Sequence, residues 1–145
     1  MEDGFSILVK NQRVISEQIL NFTQCHPYYT QQLAFHVWMR LEHESYTDNI
    51  IKDTIEQTIL LHDNDFERMW NNLNRTDKKI LIGLAFSDIS PLKDQFSLKN
   101  DLNATSTVFS GLKRLSQNGI INKFSGYEFD DPFFKQWLIK RRSEN

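Results

Sequence analysis

Cys25 and His26 stand side by side, a thiol next to an imidazole, the residue types that a nucleophile and its base require. Cysteine is also a small apolar residue that packs well, and Cys25 is read as that. His36 and His43 lie seven apart, and no His, Cys, Asp or Glu spacing gathers the ligands a metal needs. Asp130-Asp131 looks like a carboxylate pair but directly precedes Pro132 and an apolar helical repeat. It is read as acid at a helix N-terminus, where the helix dipole favours negative charge. Asp88 follows the apolar run Ile80-Leu81-Ile82-Gly83-Leu84, which is a helix stripe and not a metal-binding strand end. There is no Gly-x-x-x-x-Gly-Lys-Ser/Thr stretch to cradle phosphates and no Gly-x-Gly-x-x-Gly. No catalytic residue, no metal site and no cofactor held by this chain alone are expected.

A binding face is the better candidate. Ser106, Ser110, Lys113 and Gln117 recur at i, i+4, i+7 and i+11, opposite Val108, Leu112 and Leu115. Arg114 flanks them, and Lys123 follows in a short turn-rich segment. Small hydroxyls allow close approach, and lysine, arginine and glutamine can steady or read DNA. The same surface could instead meet another protein chain. With so few cations, DNA binding is expected to be weak and not sequence-specific.

The elements that must hold this face follow from apolar spacing. Ile15, Ile19 and Phe22 predict a helix over roughly 11–24. Pro27 suits the first turn of the next helix, in which Leu33, Ala34, Val37, Trp38 and Leu41 form the stripe. Thr47 is a candidate cap for a third helix through Ile51, Ile55 and Ile59. His62 to Asp65 then breaks the pattern before Phe66, Met69, Trp70 and Leu73. Thr76 is a candidate cap for a helix through Ile80, Leu81, Leu84 and Ala85, ended by Ser90-Pro91. Phe96, Leu98 and Leu102 could anchor a second helix, and Thr105 or Ser106 could cap a third. Asn118-Gly119 stops it in a left-handed cap. Ile120 to Phe124, Ser125-Gly126 and Tyr127 to Phe129 predict a β-hairpin. A last helix points Phe134, Trp137 and Leu138 inward and ends on Lys140, Arg141 and Arg142. Three helices and a hairpin are the order of a winged helix-turn-helix. The expected fold is mainly α: a helical lid-type bundle, residues 1–73, then a winged-helix domain with a small β-hairpin wing, residues 74–145.

Composition agrees. Gly and Pro together are only 8 of 145 residues, which favours helices, and 18 aromatics supply a core. Charge is uneven. Residues 1–70 carry 5 Lys/Arg against 11 Asp/Glu, and residues 71–145 carry 12 against 8. Such a split suggests two units with different partners. One cysteine excludes a disulfide framework, and no apolar run is long enough to span a membrane. The opening Met-Glu-Asp-Gly lacks the basic and apolar regions of a signal peptide, so a cytoplasmic location is expected.

Several segments in this order resemble the C-terminal part of the archaeal-type ATPases, P-loop proteins of the AAA+/STAND group. They are His26-Pro-Tyr-Tyr-Thr-Gln-Gln-Leu33, Phe66-Glu-Arg-Met-Trp70, Lys79-Ile-Leu with Leu84-Ala85, and Ser106-Thr-Val108 with Leu112 and Leu115. Gly119-Ile-Ile121, Tyr127 and Asp131-Pro-Phe-Phe-Lys-Gln-Trp-Leu138 complete the set. The resemblance implies a helical lid followed by a winged helix, without the nucleotide-binding P-loop domain that precedes them in that family. It implies that this missing domain is a partner, that ATP and magnesium belong to the parent protein, and that His26 and Pro27 face the nucleotide base there. The family motif usually begins Gly-His-Pro-Tyr-Tyr. Here Cys25 stands at the glycine position, where glycine would adopt positive φ cheaply.

Overall fold

Apolar residues at helical spacing account for eight helices, and one left-handed glycine turn leads into the only strand pair among the described residues. The structure is a computed structural model that describes residues 4–143, with side chains from residue 11 onward. It divides into two units, residues 1–61 and 62–145.

The first unit is three helices: α1 (Gly4–Thr23), α2 (Pro27–His43) and α3 (Ile50–Leu61). Ile15 and Ile19 of α1, Leu33, Val37 and Leu41 of α2, and Ile50, Ile51 and Ile59 of α3 are buried together. Three threonines are buried with them, and each finds a partner. Thr54 donates to the Ile50 carbonyl at 2.6 Å and Thr58 to that of Thr54 at 2.8 Å, the local bonds that let a hydroxyl sit inside a helix bundle. Thr23 donates to the Ile19 carbonyl, and its hydroxyl lies 2.7 Å from that of Thr30, joining the end of α1 to the start of α2. Pro27 is the first residue of α2, as expected. Ala34 is exposed and Trp38 half-buried, so the α2 stripe is narrower than its sequence pattern.

The second unit runs α4 (Asp63–Asn71), α5 (Arg75–Phe86), α6 (Asp94–Lys99), α7 (Thr105–Gln117), β1 (Ile121–Asn122), β2 (Glu128–Phe129) and α8 (Pro132–Ser143). The strands pair antiparallel, Ile121 with Phe129 and Asn122 with Glu128. The wing therefore has a ladder of two residues a side and a broad loop, where the sequence suggested longer strands and a tighter turn. Ile80, Leu81, Phe96, Val108, Leu112 and Leu115 form the centre of the core. Ile121, Phe129, Phe133, Phe134, Trp137 and Leu138 close it. Gly119, at φ +74°, turns the chain out of α7 into β1, the left-handed cap the sequence predicts.

Several local expectations are corrected. The division falls before α4, whereas the sequence placed the boundary after residue 73. The reason is aromatic packing: the Phe66 ring lies 5.5 Å from that of Phe134 and 6.1 Å from that of Trp137. Trp137 Nε1 donates to Asp63 Oδ1 at 2.8 Å, and the Arg141 guanidinium forks onto the Glu67 carboxylate. Asn74, not Thr76, caps α5, accepting from the Asp77 N–H at 2.8 Å. Neither Thr105 nor Ser106 caps α7. Its N-cap is Ala104, while Thr105 Oγ1 donates to Asp94 at 2.6 Å. Leu98, expected in the core, is exposed, and Phe96 and Leu102 are buried.

Candidate functional site

The first turn of α7 leaves Ser106 exposed, and the next two turns present Phe109, Ser110, Lys113, Ser116 and Gln117 along the side opposite Val108, Leu112 and Leu115. Gly111 sits on the inner side. It has no side chain because α5 passes there: an added Cβ would overlap Ile80 Cδ1 and lie 3.1 Å from Asp77 Oδ1. α7 is thus held hard against α5, and its outer side is fixed in rotation.

The wing supplies the other wall. Lys123 and Tyr127 come from the loop between β1 and β2, with Lys123 Nζ 5.1 Å from the Tyr127 ring centroid. Together with α7 they enclose a groove of about 480 Å³, lined by Phe109, Ser110, Lys113, Gln117, Lys123 and Tyr127, with Ser116 beside them. Four residues proposed from the sequence (Ser110, Lys113, Gln117 and Lys123) are brought together there. Ser106 lies outside the groove on the exposed first turn.

Arg114 is the correction. It was grouped with the binding face, but it turns towards α5 and forks onto Asp77, Nη2 to Oδ1 at 2.6 Å and Nε to Oδ2 at 3.1 Å. Asp77 is 4% exposed, so its carboxylate depends on this guanidinium. In turn the hydrogen bonds that Arg114 donates to Asp77 outweigh its partial burial and raise the Arg114 pKa above its ordinary value. Sequence spacing could not reveal a partner 37 positions away.

Phe109, Ser116 and Tyr127 are groove residues that the sequence pattern did not single out, and Phe124 on the same wing was not singled out either. Phe109 is 50% exposed and Phe124 88% exposed. The available signal was a phenylalanine beside the polar stripe of α7 and another next to Lys123. Phe109 was counted among the apolar residues, and Phe124 was assigned to the first strand of the hairpin.

Asp131 accepts from the Phe133 and Phe134 N–H groups at 2.8 and 3.3 Å, so it caps α8. Burial pushes its pKa up, against the lowering effect of those two N–H groups and of His62. The charge of neighbouring Asp130 adds a small push in the same direction as burial, while Asp130 itself accepts from Asn122 Nδ2 at 3.2 Å. The two carboxylates have separate structural duties.

In the other unit, His26 ends the turn between α1 and α2, and Pro27 opens α2. Gln24 and Cys25 both have positive φ, +51° and +62°. Cys25 is exposed, which corrects its reading as a buried apolar residue. Its backbone is in the left-handed region, which glycine adopts at little cost. The His26 ring lies 4.6 Å from that of Tyr29. Residues 23–29 contain no Lys or Arg, and Pro27 has no N–H to offer. Among the described residues, no group of three His, Cys, Asp or Glu is placed to hold a metal ion. Nor is any described helix long and apolar enough to cross a membrane.

A family model described as "Probable winged helix domain" matches residues 64–140, just over half of the chain. No curated protein matches the chain, and no solved structure matches it. The matched span begins within α4, in keeping with the division of the units. The chain belongs to this winged helix family.

Proposed function

We propose that this winged helix is an interaction module that docks another protein through the groove between α7 and the wing. The observation that carries this is the fate of the side chains that DNA binding would need. Arginine is the side chain best shaped to grip guanine or phosphate in a fork, and Arg114 is already forked onto buried Asp77. Beside the two lysines Lys113 and Lys123, the exposed side chains here are apolar: Phe109 on the helix that would enter the major groove, and Phe124 on the wing that would meet the phosphate backbone. A phosphate-facing wing calls for cations. Exposed aromatics beside a few polar groups are the composition of protein interfaces.

The wider setting is part of the same proposal. The motif resemblance supports placing this module in the C-terminal regulatory region of an ATP-binding AAA+/STAND-type ATPase. A P-loop domain of the same protein would then be a second partner. His26 and Pro27 would lie against the nucleotide base, while phosphates and magnesium would be held elsewhere. The positive φ of Cys25, where that family has glycine, is consistent with this placement.

Photocrosslinking tests the docking reading. Benzoylphenylalanine is placed at Phe109 or Phe124 in the full chain in cells, with Gln136, exposed on α8, as control. Protease-sensitive adducts of one size from both groove positions, and none from position 136, are expected. Nuclease-sensitive adducts from positions 109 and 124 would reverse the reading in favour of DNA.

A further inference from the structure

We infer that the α7–wing groove takes an acidic linear peptide segment, anchored by one aromatic or large aliphatic side chain between carboxylates. The inference rests on the protein-docking reading and names the partner's chemistry. Its first support is charge. Lys113 and Lys123 sit on the two walls of the groove, and its lining contains no carboxylate. Arg114 on the same helix is, by contrast, committed to Asp77. Neither groove lysine takes part in an ion pair among the described residues. A pair of cations left open across a groove favours a partner that brings its own anions.

The second support is the floor between them. Phe109 offers half its surface, and the Tyr127 ring carries Lys123 on one side. One large apolar side chain laid there would be flanked by both lysines. Ser110, Ser116 and Gln117 add hydroxyl and amide groups able to bond a peptide backbone. A second cleft of about 370 Å³ borders the wing, lined in part by Lys123, but it also holds Asp88, Glu128 and Lys135. Its charges are mixed, so selection for an acidic segment is confined to the α7 side.

Amide chemical shifts of the full chain test this. The probes are a short synthetic peptide with a central Phe among Glu residues, the same peptide with Gln for Glu, the same with Ala for Phe, and a short DNA duplex. The acidic Phe peptide should move the amides of Phe109, Lys113, Gln117, Lys123 and Tyr127 in a saturable way. Lys113→Ala and Lys123→Ala should each weaken it about threefold, the worth of a half-exposed ion pair. The double change Lys113→Glu, Lys123→Glu should turn the preference towards a Lys-containing peptide. Equal binding of the Gln peptide would overturn the acidic partner and leave protein docking standing. No movement with the acidic peptide at millimolar concentration would overturn the inference as well. Movement of these amides by the duplex and by no peptide would overturn both the inference and the docking reading.

Discussion

Removing Arg114 should damage the fold more than it damages any binding. Asp77 is 4% exposed and meets the guanidinium through two hydrogen bonds of 2.6 and 3.1 Å. Breaking a buried pair by deleting one partner costs about 3–5 kcal/mol, because a charge is left buried alone. Here the Arg114 side chain is 44% exposed, so water shares in the interaction and screening lowers the figure. Arg114→Ala should therefore cost about 2–3 kcal/mol. Asp77→Ala leaves a guanidinium that can turn to solvent, and should cost about 1–2 kcal/mol. If the two act as a pair, the double variant costs little more than Asp77→Ala, a coupling of about 2 kcal/mol. The assay is urea unfolding in a Trp38→Phe background, so that fluorescence from Trp70 and Trp137 reports the second unit. An unchanged midpoint for Arg114→Ala, or a double variant equal to the sum of the singles, would refute the pairing. Arg114 would then return to the list of free surface cations.

Other substitutions test the packing and the turns. Gly111→Ala should destabilise by about 1 kcal/mol in urea titration, because overpacking against Ile80 (about 1–3 kcal/mol) exceeds the gain of about 0.5–1 kcal/mol from alanine in a helix. A stabilised variant would mean that α5 and α7 are not pressed together there. Trp137→Ala removes a ring that is 4% exposed and bonded to Asp63, and should cost about 3–5 kcal/mol, whereas Phe124→Ala should leave the melting temperature unchanged. Because burial raises the Asp131 pKa above its ordinary 3.8, the folded chain holds that proton longer than the unfolded chain. Its contribution is therefore complete below that value and is lost as pH rises through the folded pKa. Asp131→Asn keeps the cap, so melting temperatures recorded from pH 3 to 7 should fall less steeply for the variant, and a steeper fall would contradict the burial argument. Cys25→Gly should raise stability by up to about 1 kcal/mol, since a left-handed L-residue costs about 1–2 kcal/mol and glycine returns part of that as unfolded-chain entropy. A lower melting temperature would show that Cys25 is not strained.

What could be read in the sequence was what depends on near neighbours. The stripes Leu33-Val37 and Val108-Leu112-Leu115 are set by 3.6-residue periodicity, and the wing by Asn118-Gly119 before an apolar run. The caps were harder: Thr76 was expected where Asn74, two residues earlier, caps α5, and Thr105 or Ser106 was expected where Ala104 stands at the start of α7. Thr105 is turned instead to Asp94, an acid eleven positions back that helix-start patterns do not show. The apolar stripe of α4 looks the same whichever helix it packs on, so only the Phe66–Phe134–Trp137 cluster could place it in the second unit. Within the site, Lys113 and Gln117 were found by spacing along one helix. Arg114 was misplaced because its direction is settled by a buried acid on another helix. Phe109 was missed because phenylalanine on an amphipathic helix is ordinarily counted as core.

The docking claim is tested most directly by the salt dependence of DNA binding, measured by anisotropy on random and genomic duplexes. With Arg114 committed to Asp77, the groove offers two lysines to phosphate. At about −0.9 per contact, log K should fall with log salt at a slope of about −2. Affinity should be no tighter than the non-specific range of roughly 10⁻⁴ to 10⁻⁶ M, alike for all sequences, and unchanged by Arg114→Ala wherever that variant remains folded. Nanomolar binding that prefers one sequence, with a slope well beyond that value or a loss on replacing Arg114, would contradict the account.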